Sequence, residues 1–337
     1  MTVLEITRKL TEAYGPSGHE GQIRSVIREE IESMVDDLRV DALGNLIAII
    51  EGDKSGKRVL LAAHMDEIGV IVTHIDEKGF PRIAPVGGVR PGPCIGHRVR
   101  FVNGTIGVIG VEKREKIDAT PTFDQLYLDV GAKSKEEIPV GVGDMGCFDR
   151  SFVAQQERWT AKAMDDRIGC AILVQLIREI NDRKPEIAHT VQVVFSVQEE
   201  VGLRGATTAA FGLEPDIGIA IDVTLSGDTP KPFPISVELG KGPAIKVKDS
   251  GMISHPGLVS AMIECAESNE IPYQLEVLTG GTTDARAIQI SQSGVISGCV
   301  SVPCRYVHTS SETVDSRDVE NSVELILACL QSPLEIE

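Results

Sequence analysis

The chain begins with apolar residues at helical spacing. Residues 4–14 and 22–34 both carry this pattern, and the breaker segment Gly15-Pro16-Ser17-Gly18 separates them. Residues 46–50 and 59–63 are shorter, rich in branched side chains and bounded by Gly or Asp. The pattern therefore predicts two helices followed by the first strands of a sheet.

The pattern changes between residues 69 and 158, where Val, Ile, Gly and Pro dominate and the helical period fades. Asn103-Gly104 stands between two β-type runs and indicates a hairpin with a two-residue turn. We predict that residues 69–159 form a small β-barrel inserted into a main domain of residues 1–68 and 160–337. The mixed-charge cluster at 112–116 is interpreted as a solvent-exposed loop.

Helical periodicity returns at residues 167–180, and strands then alternate with helices up to a last helix near 318–330. Such alternation is typical of parallel strands joined by crossover helices. The predicted fold class is α/β, with a central, mostly parallel sheet flanked by helices and an inserted small β-barrel domain.

Four apolar runs of this sheet, at 59–63, 191–197, 217–221 and 295–302, are each followed by side chains that can bind a metal ion. These side chains are His64, Glu199 with Glu200, Asp222, and His308. Parallel strands open their carboxyl ends on one edge of a sheet, so we expect the side chains to converge there. Two adjacent carboxylates after a buried strand are unfavourable unless a cation neutralises them. The sequence therefore predicts a metal site.

Two further segments carry carboxylates near these positions. Asp66 lies two residues after His64 and could orient a ligand or a base, while Asp165 and Asp166 stand at the start of a helix. Each has an ordinary alternative, because a histidine at a strand end is often structural and an aspartate often caps a helix. Their joint occurrence in one sheet favours the metal site.

Composition narrows the classes of function. The formal charge of −17 argues against nucleic acid and anionic membranes as partners, and 4% aromatic residues leave little surface for stacking bases or sugars. Seven cysteines without a C-x-x-C pair favour a reducing compartment, and no apolar stretch reaches bilayer length. We expect a cytoplasmic protein.

Six motifs, in order along nearly the whole chain, resemble those of the M42 family of metallo-aminopeptidases, also called TET, glutamyl or deblocking aminopeptidases. They are His64-Met65-Asp66-Glu67-Ile68-Gly69, Asp165-Asp166-Arg167, Val197-Gln198-Glu199-Glu200-Val201-Gly202-Leu203-Arg204-Gly205, Ala220-Ile221-Asp222-Val223-Thr224, Gly280-Gly281-Thr282-Thr283-Asp284-Ala285 and Arg305-Tyr306-Val307-His308.

The resemblance implies two divalent metal ions per subunit, usually zinc or cobalt. It implies that Asp165 bridges both ions. His64 and Asp222 would complete one site, and Glu200 and His308 would complete the other.

The resemblance also implies that Glu199 is the general base, with Asp66 as its supporting acid. The substrates would be short peptides with a free N-terminus, from which the first residue is removed. The barrel would be a dimerisation domain, and the dimers would assemble into a hollow dodecamer. Arg286 stands where a small residue is expected, so no preference for the first residue is carried over.

Rival functions remain at this stage. A metallo-carboxypeptidase or an N-acyl-amino-acid deacylase could use a related two-metal centre. A glycosidase needs two carboxyl groups about 5 to 9.5 Å apart across a sugar, which adjacent Glu199 and Glu200 satisfy poorly. A non-catalytic assembly scaffold is the fourth possibility, although every predicted ligand and the predicted base are present.

Overall fold

A computed structural model of the protein describes residues 1–53, 55–113 and 120–336. Its helices are α1 (Val3–Glu12), α2 (Gly21–Ile31), α3 (Met164–Arg183), α4 (Arg204–Leu213), α5 (Pro256–Ser268), α6 (Asp284–Gln289) and α7 (Ser316–Gln331). A capping box between Thr2 and Glu5 begins α1. Among the described residues, no helix combines the length and the apolar character needed to cross a bilayer.

The strands of the described residues fall into one large sheet and one closed barrel. They are β1 (Asp37–Val40), β2 (Leu46–Ile50), β3 (Arg58–His64), β4 (Gly69–Ile75), β5 (Pro81–Val86), β6 (Arg98–Phe101), β7 (Ile106–Val111), β8 (Leu126–Asp129), β9 (Met145–Phe148), β10 (Val153–Gln155), β11 (Arg158–Ala161), β12 (Thr190–Ser196), β13 (Ile217–Leu225), β14 (Ala244–Lys248), β15 (Gln274–Val277), β16 (Ile296–Arg305) and β17 (Glu312–Asp315).

The large sheet has the order β1-β2-β12-β3-β13-β16-β17-β11-β10, with β14 beside β16 and β15 beside β14. Its centre consists of β12, β3, β13 and β16, which are mutually parallel. These strands are the four apolar runs, so the predicted α/β class and parallel sheet are confirmed.

Helices cover both faces of the sheet, which explains why the central strands are apolar throughout. In β3, Leu61 belongs to the hydrophobic cluster that contains residues of α1, α2, α3, α5 and α7, on one face of the sheet. Its neighbour Leu60 belongs to the cluster that contains residues of α4 and α6, on the other face. The alternation follows the two-residue period of a strand.

The barrel consists of β4-β5-β8-β7-β6-β9 and has a hydrophobic core of its own. Its strands lie within residues 69–148, as the β-rich pattern predicts. Strands β10 and β11 instead pair at the edge of the large sheet. The boundaries 69 and 159 of an independent dimerisation domain stay a prediction.

The predicted hairpin is present between β6 and β7, but its predicted two-residue loop is wrong. The N–H of Phe101 donates to the carbonyl of Thr105 at 2.9 Å, and the N–H of Gly104 donates to the carbonyl of Phe101 at 2.9 Å. The loop therefore has three residues, with Gly104 in the left-handed region at φ 86°. In the charged cluster, Glu112 and Lys113 are exposed, and 114–116 lie outside the described residues.

A buried ion cluster, here called the junction cluster, lies where the chain passes between the large sheet and the barrel. Glu67 Oε2 is 2.6 Å from Lys162 Nζ, and Glu67 Oε1 is 3.4 Å from Arg167 Nη2. All three side chains are buried. Arg167 also donates to the carbonyls of Leu10 and Gly15, and each of its three guanidinium nitrogens has an acceptor.

Candidate metal centre

The parallel register brings the first two candidate ligands to one level of the sheet. His64 is the last residue of β3, and Ala62 is paired with Ala220 of β13. Asp222 therefore lies beside His64, although β13 continues to Leu225 and the residue is not at a strand end as predicted. Both side chains are buried.

Asp165, in the first turn of α3, completes this first group. His64 Nε2 is 3.0 Å from Asp165 Oδ1. One donor atom from each of His64, Asp165 and Asp222 lies within 4.8 Å of the others. The three side chains come from two parallel strands and the start of the helix that packs on them.

The second oxygen of Asp165 belongs to a second group. His308 Nε2 lies 3.3 Å from Asp165 Oδ2 and 3.4 Å from Glu200 Oε2. Asp165, Glu200 and His308 again offer donor atoms within 4.8 Å of one another. Asp165 is therefore shared, one oxygen facing each group. Burial alone would lower the pKa of His308, but the two carboxylates raise it to about 11.

Glu199 lies beside the first group and belongs to neither. Its Oε2 is 3.8 Å from His64 Nε2, and its side chain is 11% exposed, which leaves it accessible from the cavity described below. Burial raises the pKa of Glu199 well above its ordinary value, and the nearby Asp222 and Asp284 carboxylates add to the shift.

Asp66 supports the segment that carries Glu199 and Glu200. Its carboxylate accepts the backbone N–H groups of Glu199 at 2.9 Å and Glu200 at 3.2 Å. It also accepts the Ser17 hydroxyl at 2.6 Å and lies 3.4 Å from His64 Nδ1. Burial disfavours the charged form of Asp66, but these contacts favour it, and the contact with His64 has the largest effect. Together they lower the pKa of Asp66. Asp66 thus holds the backbone of Glu199 rather than its carboxyl group.

Asp166 belongs to neither group. Its carboxylate accepts the N–H of His64 at 3.1 Å and the N–H of Gly169 at 3.1 Å, and so links β3 to α3. Burial raises the pKa of Asp166 well above its ordinary value, and the nearby Asp222 carboxylate raises it further. Arg167, the next residue, belongs to the junction cluster.

Sequence reasoning missed Glu312 of β17. Its carboxylate accepts the N–H of Asp165 at 3.0 Å and the N–H of His308 at 2.7 Å, so one buried side chain positions a residue of each group. Burial raises its pKa well above the ordinary value. Glu312 follows the short polar stretch Thr309-Ser310-Ser311, and only its spacing of four from His308 could have suggested it.

Asp284 lies in the fifth of the six motifs, to which the resemblance assigns no role. It accepts the Ser196 hydroxyl, and burial raises its pKa to about 6. Its Oδ1 is buried without a partner among the described residues, and so is Oε1 of Glu200.

These carboxylates outnumber the nearby cations. Asp165, Asp222, Glu199 and Glu200 converge on two histidines, and Asp166, Asp284 and Glu312 lie buried behind them. Nitrogen and oxygen donors in two groups of three, with an unpartnered Glu200 oxygen, fit divalent transition metals. Divalent cations would also neutralise the excess negative charge.

A cavity of about 620 Å³ opens onto both groups. Its lining continues along the end of β13, the middle of β14 and the loop before α6. The lining residues are Gly88, Arg90, Asp165, Glu199, Glu200, Gly202, Leu203, Asp222, Val223, Thr224, Leu225, Lys246, Leu278, Gly280, Gly281, Thr282, Thr283, Arg286, Val307 and His308.

Comparisons with known proteins give the family and the fold of the chain. The family model described as M42 glutamyl aminopeptidase matches residues 44–325. The lysyl aminopeptidase of Pyrococcus furiosus is 37% identical over 97% of this chain and 96% of its own. An aminopeptidase from the archaeon Desulfurococcus kamchatkensis superposes with a TM-score of 0.93 and 39% identity over 98% of this chain and 94% of its own. The TET1 peptidase of Pyrococcus horikoshii superposes with a TM-score of 0.87 and 34% identity over 98% of this chain and 99% of its own. That peptidase can assemble into a tetrahedron or a large octahedral shell.

Proposed function

Because the chain belongs to the M42 family of metal-dependent aminopeptidases, we propose that it removes the N-terminal residue of short peptides at a centre of two divalent metal ions. The observation that carries the two-metal proposal is the position of Asp165, whose two oxygens face two separate groups of ligands. Relatives named as aminopeptidases favour this activity over the carboxypeptidase, deacylase and glycosidase alternatives. The presence of both ligand groups argues against the non-catalytic scaffold.

The ligands divide as the two groups do. His64 and Asp222 would hold one ion, Glu200 and His308 the other, and Asp165 would bridge them. Zinc or cobalt suits this set of imidazole and carboxylate donors.

Two divalent ions held in this way would polarise the scissile carbonyl and make a water molecule acidic near neutral pH. Glu199 would act as the general base, because its carboxylate is within reach of the first group and is not needed as a ligand. It accepts a proton from the attacking water and returns it to the leaving amine. Asp66 keeps Glu199 in place through the backbone.

The proposed centre also suits a substrate with a free N-terminus. The lone pair of a free α-amine could be held at a divalent ion, whereas the nitrogen of an acylated amine has no basic lone pair to offer. The family description names glutamyl residues and the Pyrococcus furiosus relative is named for lysyl residues, so neither preference is carried over.

We further propose that the chain self-associates, with the barrel as the dimerisation domain and dimers assembling into a dodecamer. The tetrahedral assembly of the Pyrococcus horikoshii relative supports this proposal. Light scattering of the purified protein should give about twelve times the mass of one chain. A cytoplasmic location is supported by seven cysteines that all lie in the described residues and are all unpaired.

The test of the catalytic proposal compares alanine p-nitroanilide with its N-acetyl derivative, using protein supplied with zinc, cobalt or manganese. We expect hydrolysis of the free-amine substrate only, and its loss after chelation. Hydrolysis of the acetylated substrate at an equal rate would favour a deacylase, and hydrolysis that survives complete removal of metal would contradict the proposal.

A further inference from the structure

The cavity would carry unbalanced positive charge once two divalent ions are bound at the proposed centre. Its acidic lining residues, Asp165, Glu199, Glu200 and Asp222, all belong to the proposed centre, and its basic ones are Arg90, Lys246 and Arg286. Two divalent ions would balance the four carboxylates. The basic side chains would then face a substrate without compensation from the centre.

Lys246 is the exception among the three basic residues. Its Nζ lies 2.5 Å from Oε1 of Glu276, both side chains are fully buried, and Thr224 donates to the same oxygen at 2.6 Å. Burial disfavours the ammonium group, but Glu276 raises the pKa of Lys246 to about 12. Lys246 is therefore neutralised inside the cavity wall.

Arg286 and Arg90 differ from Lys246, because neither guanidinium forms an ion pair with any carboxylate of residues 1–53, 55–113 and 120–336. Both side chains are exposed and line the cavity. The Arg286 side chain, on α6, also packs against Gly251. A guanidinium presents donors in a planar fork that matches both oxygens of a carboxylate.

The local chain makes room for the aliphatic part of this side chain. A Cβ atom at Gly251 would lie 2.6 Å from Arg286 Cδ and 2.5 Å from Thr282 Oγ1, so no larger residue fits there without movement. Asp249 fixes this wall, because its Oδ1 accepts the N–H of Gly251 at 2.8 Å and the hydroxyl of Thr282 at 3.2 Å. The aliphatic part of Arg286 therefore lies against Gly251, whose backbone is held by Asp249.

We propose that Arg286 forms a carboxylate-binding subsite of the peptide cavity, an inference that rests on the proposed aminopeptidase function. Two parts of a short peptide present this chemistry: an acidic side chain on the first residue, and the C-terminal carboxylate of a dipeptide. A bidentate contact with either group selects it over its uncharged amide, since a positive fork gains nothing equivalent from an amide.

The experiment uses two matched substrate pairs. Glutamyl and glutaminyl p-nitroanilides differ in side-chain charge and have no C-terminal carboxylate. Alanyl-alanine and its C-terminal amide differ only at the far end. For each pair, the ratio of kcat/KM values is measured with the metal-loaded full-length protein, with Arg286→Gln, with the charge-keeping Arg286→Lys and with Arg39→Gln. Arg39 is an exposed arginine of β1, outside the cavity lining, and serves as the control.

We expect Arg286→Gln to lower the ratio of one pair about tenfold, the size expected for one charge-assisted contact. Arg286→Lys should retain part of the ratio, and Arg39→Gln should match the wild type. The pair that responds identifies the source of the carboxylate. Unchanged ratios in both pairs for Arg286→Gln, with alanine p-nitroanilide still cleaved, would overturn the subsite alone. No turnover of any free-amine substrate by the wild type would instead contradict the proposed function.

Discussion

The molecule contains two clusters of buried charged side chains with opposite charge balance. In the junction cluster, one carboxylate, Glu67, meets two cations, Lys162 and Arg167, whose other donors reach backbone carbonyls. In the candidate metal centre, four carboxylates meet two histidines, and buried oxygens of Glu200 and Asp284 have no partner among the described residues. The first cluster is balanced by its own residues, whereas the second has surplus carboxylates that cations from outside the chain would balance.

The charge balance of a buried cluster, and not its burial, distinguishes a structural cluster from a functional one. Both clusters are buried, and both connect segments distant in sequence. A satisfied cluster contributes to stability and offers no chemistry, because each group already has its partner. A cluster with surplus carboxylates is unfavourable in isolation and becomes favourable when divalent ions bind.

The largest expected effect is on turnover at the metal centre. Glu199→Gln removes the proposed proton acceptor, so kcat should fall by about 10³-fold, within the usual range for general acid–base catalysis. Metal content measured by plasma mass spectrometry should remain that of the wild type, because Glu199 belongs to neither ligand group. Wild-type turnover in this variant would remove Glu199 from the mechanism.

The second effect is on stability at the junction cluster. Glu67→Gln leaves Lys162 and Arg167 buried without a carboxylate, so the free energy of unfolding should fall by about 3–5 kcal/mol. Urea denaturation measures the change. The control is Glu77→Gln, which disrupts a surface pair with Lys135 and should change stability by at most about 1 kcal/mol. Equal effects of the two substitutions would contradict the assignment.

The same kind of substitution at the metal centre should act in the opposite direction. Burial raises the pKa of Asp222 well above its ordinary value, which means that the charged form is unfavourable in the metal-free protein. Asp222→Asn should therefore leave the metal-free unfolding temperature at or above the wild-type value while weakening metal binding. A large drop in the metal-free protein would show that this cluster is also balanced by its own residues.

A smaller effect is expected at Glu312, which positions Asp165 and His308 through their N–H groups. The two N–H groups bond to different oxygens of Glu312, and Glu312→Gln leaves only one oxygen acceptor. One of the two metal-binding residues would then be held less firmly, so metal affinity should fall about 10- to 100-fold. A chelator competition assay measures the dissociation constant. Glu320→Gln, at an exposed position of α7, is the control and should bind as the wild type does.

The smallest effect concerns pH. Burial raises the pKa of Asp284 to about 6 and that of Asp222 well above its ordinary value. An acid with a raised folded-state pKa contributes stability below its unfolded pKa of about 4 and loses it as the pH rises through the folded value. The unfolding temperature of the chelated protein should thus decrease between about pH 4 and pH 7. Added zinc should reverse this trend near pH 7; a chelated protein that gains stability over this interval would contradict the charge surplus.

The features that could be predicted from sequence are those that leave a recognisable pattern in the neighbouring residues of the chain. His64 ends a strand, and Glu199 and Glu200 come shortly after one, and the apolar character of both strands is visible along the chain. The barrel could be predicted because the hydrophobic pattern changes at its start and end. Glu312 and Asp284 have no such signal, because their partners are backbone groups and a hydroxyl brought near only by folding. The three-residue loop at Gly104 was missed because Asn-Gly fits turns of either length.

The central claim is that this chain holds two cations on either side of one carboxylate. An anomalous-diffraction map of zinc-loaded crystals, collected at the zinc absorption edge, tests it directly. We predict two peaks, one near Asp165 Oδ1 with His64 and Asp222, and one near Asp165 Oδ2 with Glu200 and His308. A map with no peak at Asp165, or with peaks only elsewhere in the molecule, would contradict it.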